Sequence, residues 1–175
     1  MPIVQALLLA WLTLVATTGS AQSPAVSEQT LRAVLLYKLP LFVYLNNDKR
    51  SLIRICTFGD APLGNALEKL PQMLADGRRI ELKSLSGEAD ASECEFVYFG
   101  DSEAGRLESL LRKLNGRRVV SVSGIDGFAL SGGMVELALR SDGTGLVIRI
   151  NRKAAQKQGI EFNAQLLRLA RIVEP

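Results

Sequence analysis

Phe128-Ala-Leu-Ser-Gly-Gly-Met-Val-Glu-Leu-Ala-Leu-Arg-Ser-Asp-Gly-Thr-Gly-Leu-Val-Ile-Arg-Ile-Asn151 decides how the chain is arranged. Met134 to Arg140 and Leu146 to Ile150 alternate or cluster apolar residues, the pattern of a strand pair buried on at least one face. Between them, Ser141-Asp-Gly-Thr-Gly145 contains Asp142-Gly143, a hairpin signal because Gly accepts the positive φ of tight turns. Gly132-Gly133 lets the chain turn sharply into the first run. This stretch is therefore the antiparallel half of an α/β sheet, on which the remaining elements are expected to pack.

Upstream, strands alternate with helices. Ser27 is an N-cap signal for a helix with apolar residues at Leu31, Val34, Leu35, Tyr37, Leu39, Phe42, Val43 and Leu45. Pro40 should interrupt that helix, and Asn46-Asn47-Asp48 ends the element. Strands are expected at Ser51 to Phe58, Arg78 to Leu85, Cys94 to Gly100 and Arg117 to Val122. A helix capped by Asp60, with Pro62 in its first turn and Leu63, Leu67, Leu70 and Leu74 as its stripe, should join the first two. A second, capped by Asp101 and ended by Asn115-Gly116, should bury Leu107, Leu110, Leu111 and Leu114. Downstream, Arg152 to Gln158 is read as a short helix ended by Gly159. Asn163 then caps a last helix with Leu166, Leu167, Leu169, Ala170 and Val173 as its stripe. The expectation is one α/β domain with a mixed sheet of about six strands. Its N-terminal half is parallel, the hairpin antiparallel, and helices cover both faces.

Composition agrees with a single packed domain: 175 residues, 47% hydrophobic and 22% charged. Met1 to Ala21 reads as a secretory signal, with an apolar core from Ile3 to Ala16 and small residues before a cleavage point near Ala21. That leaves a domain at 22–175; an uncleaved anchor is the rival reading, although the apolar core is short for a membrane span. No Cys follows the cleavage point, which speaks against a lipoprotein anchor. The net charge of +3 and the basic pairs Arg78-Arg79, Arg112-Lys113, Arg117-Arg118 and Arg152-Lys153 are read as solvated surface rather than a nucleic-acid site. An acidic protein partner or anionic head groups stay open.

The chain has no histidine, which removes His-based triads and the commonest general base and metal ligand. Two cysteines do not make a structural zinc site, so neither metal nor cofactor is expected. Gly59-Asp60 and Gly100-Asp101 each follow a strand, at the carboxyl edge where open α/β sheets bind ligands. Ordinary helix capping is the competing account of both aspartates. Cys56 and Cys94 fall on the first and third strands, neighbours in the common doubly wound order. They are either a disulfide or two buried, inert thiols.

The segments Leu31-Arg-Ala-Val-Leu-Leu-Tyr-Lys-Leu-Pro-Leu-Phe-Val43, Ile55-Cys-Thr-Phe-Gly-Asp-Ala-Pro-Leu-Gly64, and Cys94 before Val97-Tyr-Phe-Gly100 resemble the YfiR family of exported bacterial proteins. So do Val120-Ser-Val-Ser-Gly-Ile-Asp-Gly-Phe128, Ser131-Gly-Gly-Met-Val135, Ile148-Arg-Ile-Asn151 and Asn163-Ala-Gln-Leu-Leu-Arg-Leu-Ala-Arg171. The chain departs from the family at Leu45-Asn-Asn47, where an aromatic–proline pair is usual, and it lacks a second cysteine pair known in some members. The resemblance implies a Cys56–Cys94 bond and a periplasmic regulator, not an enzyme. Such a regulator represses an inner-membrane diguanylate cyclase by binding its periplasmic sensor domain, and an outer-membrane lipoprotein relieves the repression. A second copy of the chain is a further candidate partner. Partner contacts are expected at Phe42 and Tyr44, after the first helix, and at Phe162 and Leu166 near the last, against a core-packing role for each. The alternative is a periplasmic small-molecule binder using Gly59, Asp60, Gly100 and Asp101.

Overall fold

A computed structural model describes residues 27–45, 50–61, 63–86 and 88–175. The leader read at 1–21, the Asn46-Asn47-Asp48 end of the first element and Pro62 lie outside these residues. Helix α1 spans Glu28–Lys38, and Ser27 caps it as the sequence indicates, its Oγ accepting from the Thr30 N–H at 3.2 Å. Pro40 opens a 3-10 turn, Leu39–Phe42, that ends the helix, because proline can supply no interior helix donor. Then follow β1 (Val43–Tyr44), β2 (Leu52–Phe58), β3 (Arg79–Leu85), β4 (Phe96–Phe99), α2 (Leu107–Leu114) and β5 (Val120–Ser123). The chain closes with β6 (Val135–Leu139), β7 (Leu146–Ile150), α3 (Arg152–Lys157), β8 (Glu161–Phe162), α4 (Ala164–Leu169) and β9 (Arg171–Ile172).

The main sheet has seven strands in the order β3-β2-β4-β5-β6-β7-β9, and β1 pairs with β8 in a separate ribbon. Strands β3 through β6 run parallel, β6–β7 is the expected antiparallel hairpin, and β9 adds parallel to β7. The mixed α/β architecture agrees with the sequence, and the differences are local. The last helix stops at Leu169 instead of reaching Val173. Strand β9 takes its place because the free edge of β7 offers ladder partners, including a Val173 N–H to Ile150 carbonyl bond of 2.9 Å. Among the described residues no α-helix joins β2 to β3. Gly64 and Pro71 both weaken helix there, and the segment settles into a short 3-10 turn, Gly64–Ala66, while still burying Leu63, Leu67 and Leu74. Asp101 does not cap α2: it opens a 3-10 turn, Asp101–Arg106, and the α-helix begins only at Leu107.

Strand alternation sends side chains into two cores, one on each face of the sheet. Ile53, Ile55, Phe96, Tyr98, Val120, Val122 and Leu137 enter the first with Leu36 of α1 and Leu166 of α4. Phe58, Val97, Phe99, Leu110, Leu114 and Phe128 enter the second, which α2 covers. Residues 125–133 roof the second face beside α2, and Glu136 of β6 holds them there. Fully buried, its carboxylate accepts from the Gly127 N–H at 3.2 Å and the Ala129 N–H at 3.0 Å, and pairs with Arg149 of β7 at 2.5 Å. The hydrogen bond that Arg149 donates to Asp126, and then its contacts with Glu136, hold Arg149 above its ordinary pKa. Gly133 is needed at the end of this roof, since a Cβ there would lie 2.1 Å from the Phe128 ring.

On the first face, the buried Arg32 of α1 donates to the Leu137 and Gly124 carbonyls, both at 3.2 Å, and pairs with Glu28 at 2.5 Å. Tyr98 lies beside it. Burial pushes the Tyr98 hydroxyl above its usual pKa; nearby Arg32 opposes this electrostatically, without a hydrogen bond of good geometry.

Cys56 and Cys94 form a disulfide in the second core, with Cα atoms 6.0 Å apart. The neighbouring of the first and third strands is realised in the pairing of β2 with β4. The bond ties the middle of β2 to the entry of β4, and both residues are buried.

Replacing Cys56 and Cys94 together by Ala should lower the unfolding free energy by about 3–4 kcal/mol on the chain-entropy estimate, measured by denaturant titration. Glu136→Ala should cost about 3 kcal/mol or more in the same titration, because it leaves the Gly127 and Ala129 N–H groups unpaired and takes from Arg149 its buried partner, leaving only exposed Asp126. Asp126→Ala, removing an exposed partner of the same arginine, should shift stability by about 0.5 kcal/mol or less.

Candidate interaction surface

Phe42, Tyr44, Phe162 and Leu166 come from opposite ends of the chain, and the β1–β8 ribbon brings them together. Val43 faces Phe162 and Tyr44 faces Glu161 in register, and the Asn163 N–H donates to the Phe42 carbonyl at 2.9 Å. The ribbon forms because Pro40 ends α1 and releases Val43 into extended backbone (φ −119°, ψ 130°). On the other side, Asn163 caps α4 by accepting from the Leu166 N–H at 2.9 Å. The four side chains then divide. Phe162 (9% exposed) and Leu166 (3%) are buried in the first core, and Phe42 is half-buried against it. Tyr44 is 60% exposed. Core packing thus accounts for Phe162 and Leu166, which anchor the ribbon, while Tyr44 and the neighbouring exposed Glu161 face outward. A recess of about 230 Å³ lies beside them, with Arg152, Gln156, Glu161 and Leu167 in its wall.

Gly59-Asp60 and Gly100-Asp101 lie where the topology places them, at the carboxyl ends of β2 and β4, where strand order reverses. The chain itself fills that crevice. A Cβ on Gly100 would stand 2.1 Å from the Asp60 carbonyl oxygen, and one on Gly59 (φ +75°) 2.5 Å from both Ser102 Oγ and Glu103 Oε1. Ser102 Oγ accepts from the Asp60 N–H at 2.9 Å. Buried Glu103 accepts from Ser102 Oγ at 3.2 Å and from Arg106 Nε at 2.7 Å, and the Arg106 guanidinium lies 5.4 Å from the centre of the Phe58 ring. Asp60 and Asp101 point to solvent without converging on a cavity. The plug Ser102-Glu103-Arg106 escaped the sequence reading; its only trace there is the i,i+3 spacing of Glu103 and Arg106. A groove of about 830 Å³ runs along the β3 edge, lined by Leu52, Glu68, Gln72, Met73 and Arg79.

Among solved structures, the chain resembles a conserved domain protein of Vibrio cholerae (15% identity, TM-score 0.54, covering 83% of this chain and 60% of that one). It also resembles an ABC domain in complex with L-Trp from Streptococcus pneumoniae (11%, 0.54, 83% and 60%). A third is a substrate binding protein with adhesive properties from Clostridium difficile (11%, 0.53, 79% and 58%). At these identities the likeness shows the fold, and the chain spans about 60% of the length of the first two. No curated protein matches. Residues 29–171 match the YfiR/HmsC-like family from α1 to β9, the span over which the ribbon, the disulfide and the roofed hairpin are built. The chain belongs to the YfiR/HmsC-like family.

Proposed function

We propose that this protein is a periplasmic repressor: it docks on the periplasmic sensor domain of an inner-membrane diguanylate cyclase, holds the cyclase inactive and lowers cyclic-di-GMP output. The family match over residues 29–171 carries the reading, since proteins of this family are periplasmic regulators rather than enzymes. The disulfide suits an oxidising compartment, in line with export through the leader at 1–21 and cleavage near Ala21.

Repression by docking has a thermodynamic requirement: the protein must bind the inactive state of the cyclase more tightly than the active one. The β1–β8 ribbon supplies an aromatic, Tyr44, held on backbone whose neighbours are fixed in the core, the kind of rigid anchor that dominates interface energy. Relief by an outer-membrane lipoprotein would then be competition for this surface or for a state of the protein that presents it. Coupling to redox conditions through Cys56–Cys94 would need the sheet entry to open first, because the bond is buried and redox-sensing cysteines are accessible.

A small-molecule binder at the carboxyl edge is the second reading, favoured by a fold shared with an L-Trp complex and a substrate binding protein. It requires Ser102 and Glu103 to move out of the crevice. Any such ligand would raise the melting temperature with its concentration.

The test is a pull-down of the cyclase periplasmic domain with protein recovered from the periplasm, with cyclic-di-GMP measured in a deletion strain. Binding and a rise in cyclic-di-GMP are expected. Tyr44→Ala should weaken binding by about tenfold, some 1.4 kcal/mol, without moving the melting temperature. Phe162→Ala should instead unfold the domain, at about 3–5 kcal/mol. No capture together with unchanged cyclic-di-GMP would discard the reading.

A further inference from the structure

Three of the four basic pairs of the sequence end up at one edge of the sheet. Strands β4, β5 and β6 start at this amino edge, and β7, antiparallel to β6, ends there. The last turn of α2 brings Arg112 and Lys113 to it, and the link to β5 adds Arg117 and Arg118. Helix α3 leaves the end of β7 with Arg152 and Lys153 and carries Lys157 in its last turn. All of these side chains are exposed. A groove of about 350 Å³ runs between the two helices, with Arg112, Asn115, Ser131, Lys153 and Lys157 in its walls.

Counter-charge here is sparse. Glu108 pairs with Arg112 at 2.5 Å and Glu174 with Lys153 at 3.2 Å. Among the described residues, Arg117, Arg118, Arg152 and Lys157 enter no ion pair. At the opposite, carboxyl edge stand Asp60, Asp101, Asp126 and Asp142, together with Arg106 and Arg140. Arg118 also holds positive φ (+50°), an uncommon conformation for a residue with a Cβ. Leu130, next to Ser131 on the groove wall, is 53% exposed.

We propose that this amino edge is a docking surface for an anionic phospholipid bilayer. Anionic head groups attract spread-out lysines and arginines without any fixed pairing, and an exposed leucine can enter the head-group layer. A single small anion would call for converging donors, whereas Arg112, Lys153 and Lys157 line an open groove and Arg117, Arg118 and Arg152 lie outside it. Single-stranded nucleic acid would call for an aromatic platform, and no aromatic side chain lines the groove. The attraction is screened by salt, so binding must weaken as ionic strength rises. The inference stands independently of the cyclase reading, because it uses no residue of the β1–β8 ribbon; of its cations Arg152 alone also lines the recess beside that ribbon.

The test is flotation of protein recovered from the periplasm with phosphatidylglycerol–phosphatidylethanolamine vesicles, against vesicles of phosphatidylcholine alone. The expected result is at least tenfold greater partitioning onto the anionic vesicles at low salt, largely lost at several hundred millimolar salt. The joint variant Arg117→Gln, Arg118→Gln, Arg152→Gln, Lys157→Gln should lose at least tenfold, while Arg168→Gln, an exposed change on α4, should lose nothing. A circular-dichroism melt checks that the joint variant is folded; should it not be, the lipid and salt dependence of the unaltered protein decides alone. Equal partitioning onto both vesicle types, or binding indifferent to salt, would overturn the proposal. Full competition by millimolar inorganic phosphate would overturn it in favour of a discrete anion pocket. Capture of polyglutamate without vesicle binding would overturn it in favour of an acidic protein partner.

Discussion

The buried carboxylate of Glu136 is the constraint on which the C-terminal half of the fold depends. It lies in a sheet interior where an ionised group is costly unless paired and hydrogen-bonded, and it is both, through Arg149 and two backbone N–H groups. Those N–H groups belong to residues 127 and 129, so one side chain pins the roof of the second core to the hairpin beneath it. Phe128, between them, fills the space that a further helix would otherwise occupy, against Phe99 at 6.1 Å between ring centres. Gly133 then lets the chain pass directly over that ring. Remove the carboxylate, and a β-hairpin would have to carry a polar loop over an open apolar face.

A second clamp works on the opposite face. Arg32 reaches from α1 to the carbonyls of Gly124 and Leu137, and Gly124 directly follows β5 while Leu137 lies in β6. A Cβ on Gly124 would lie 2.3 Å from the guanidinium carbon, so the glycine and the arginine are a matched pair. The start of the roof at Gly124 is thus gripped by α1 from the first face, and its middle by Glu136. The disulfide does the same for the other half of the sheet, joining β2 to the entry of β4. In each case a covalent or charged link fixes an irregular segment that hydrophobic patterning alone would leave loosely specified.

That division explains which features were legible in the sequence. Regular strands were, because periodicity two with buried runs such as Phe96-Val-Tyr-Phe99 has few other readings, and strand–helix alternation implies parallel order. The neighbouring of β2 and β4 came from the same topology, which left Cys56 and Cys94 as either a disulfide or two thiols; the bond itself was implied by the family resemblance. The segment between β2 and β3 misled because Leu63, Leu67, Leu70 and Leu74 keep helical spacing although Gly64 and Pro71 oppose a helix; burial was foreseen and backbone shape was not. Strand β9 was hidden because Leu167, Leu169, Ala170 and Val173 continue a helical stripe, and only the open edge of β7 turns the chain to strand at Arg171. For the surface, the sequence named Phe42, Tyr44, Phe162 and Leu166 as two separate guesses. Their meeting depends on a two-residue ribbon that no local pattern announces, and their sorting into anchors and exposed tip depends on packing.

The plugged switch point bears on how such a fold acts. In an open doubly wound sheet, the divergence of the connections leaving adjacent strands creates a crevice, and ligand binding there needs that space to stay empty or to open at small cost. Here the two connections approach so closely that neither Gly59 nor Gly100 can carry a side chain, and Glu103 is buried between them with both oxygens engaged. Opening the crevice would expose that carboxylate and separate Arg106 from Phe58 with no compensating contact within the chain. The features that remain available lie on the exterior: an exposed aromatic on a braced ribbon and a cationic edge around a shallow groove. A crevice closed in this way leaves the outer faces as the surfaces a partner could reach without opening the sheet.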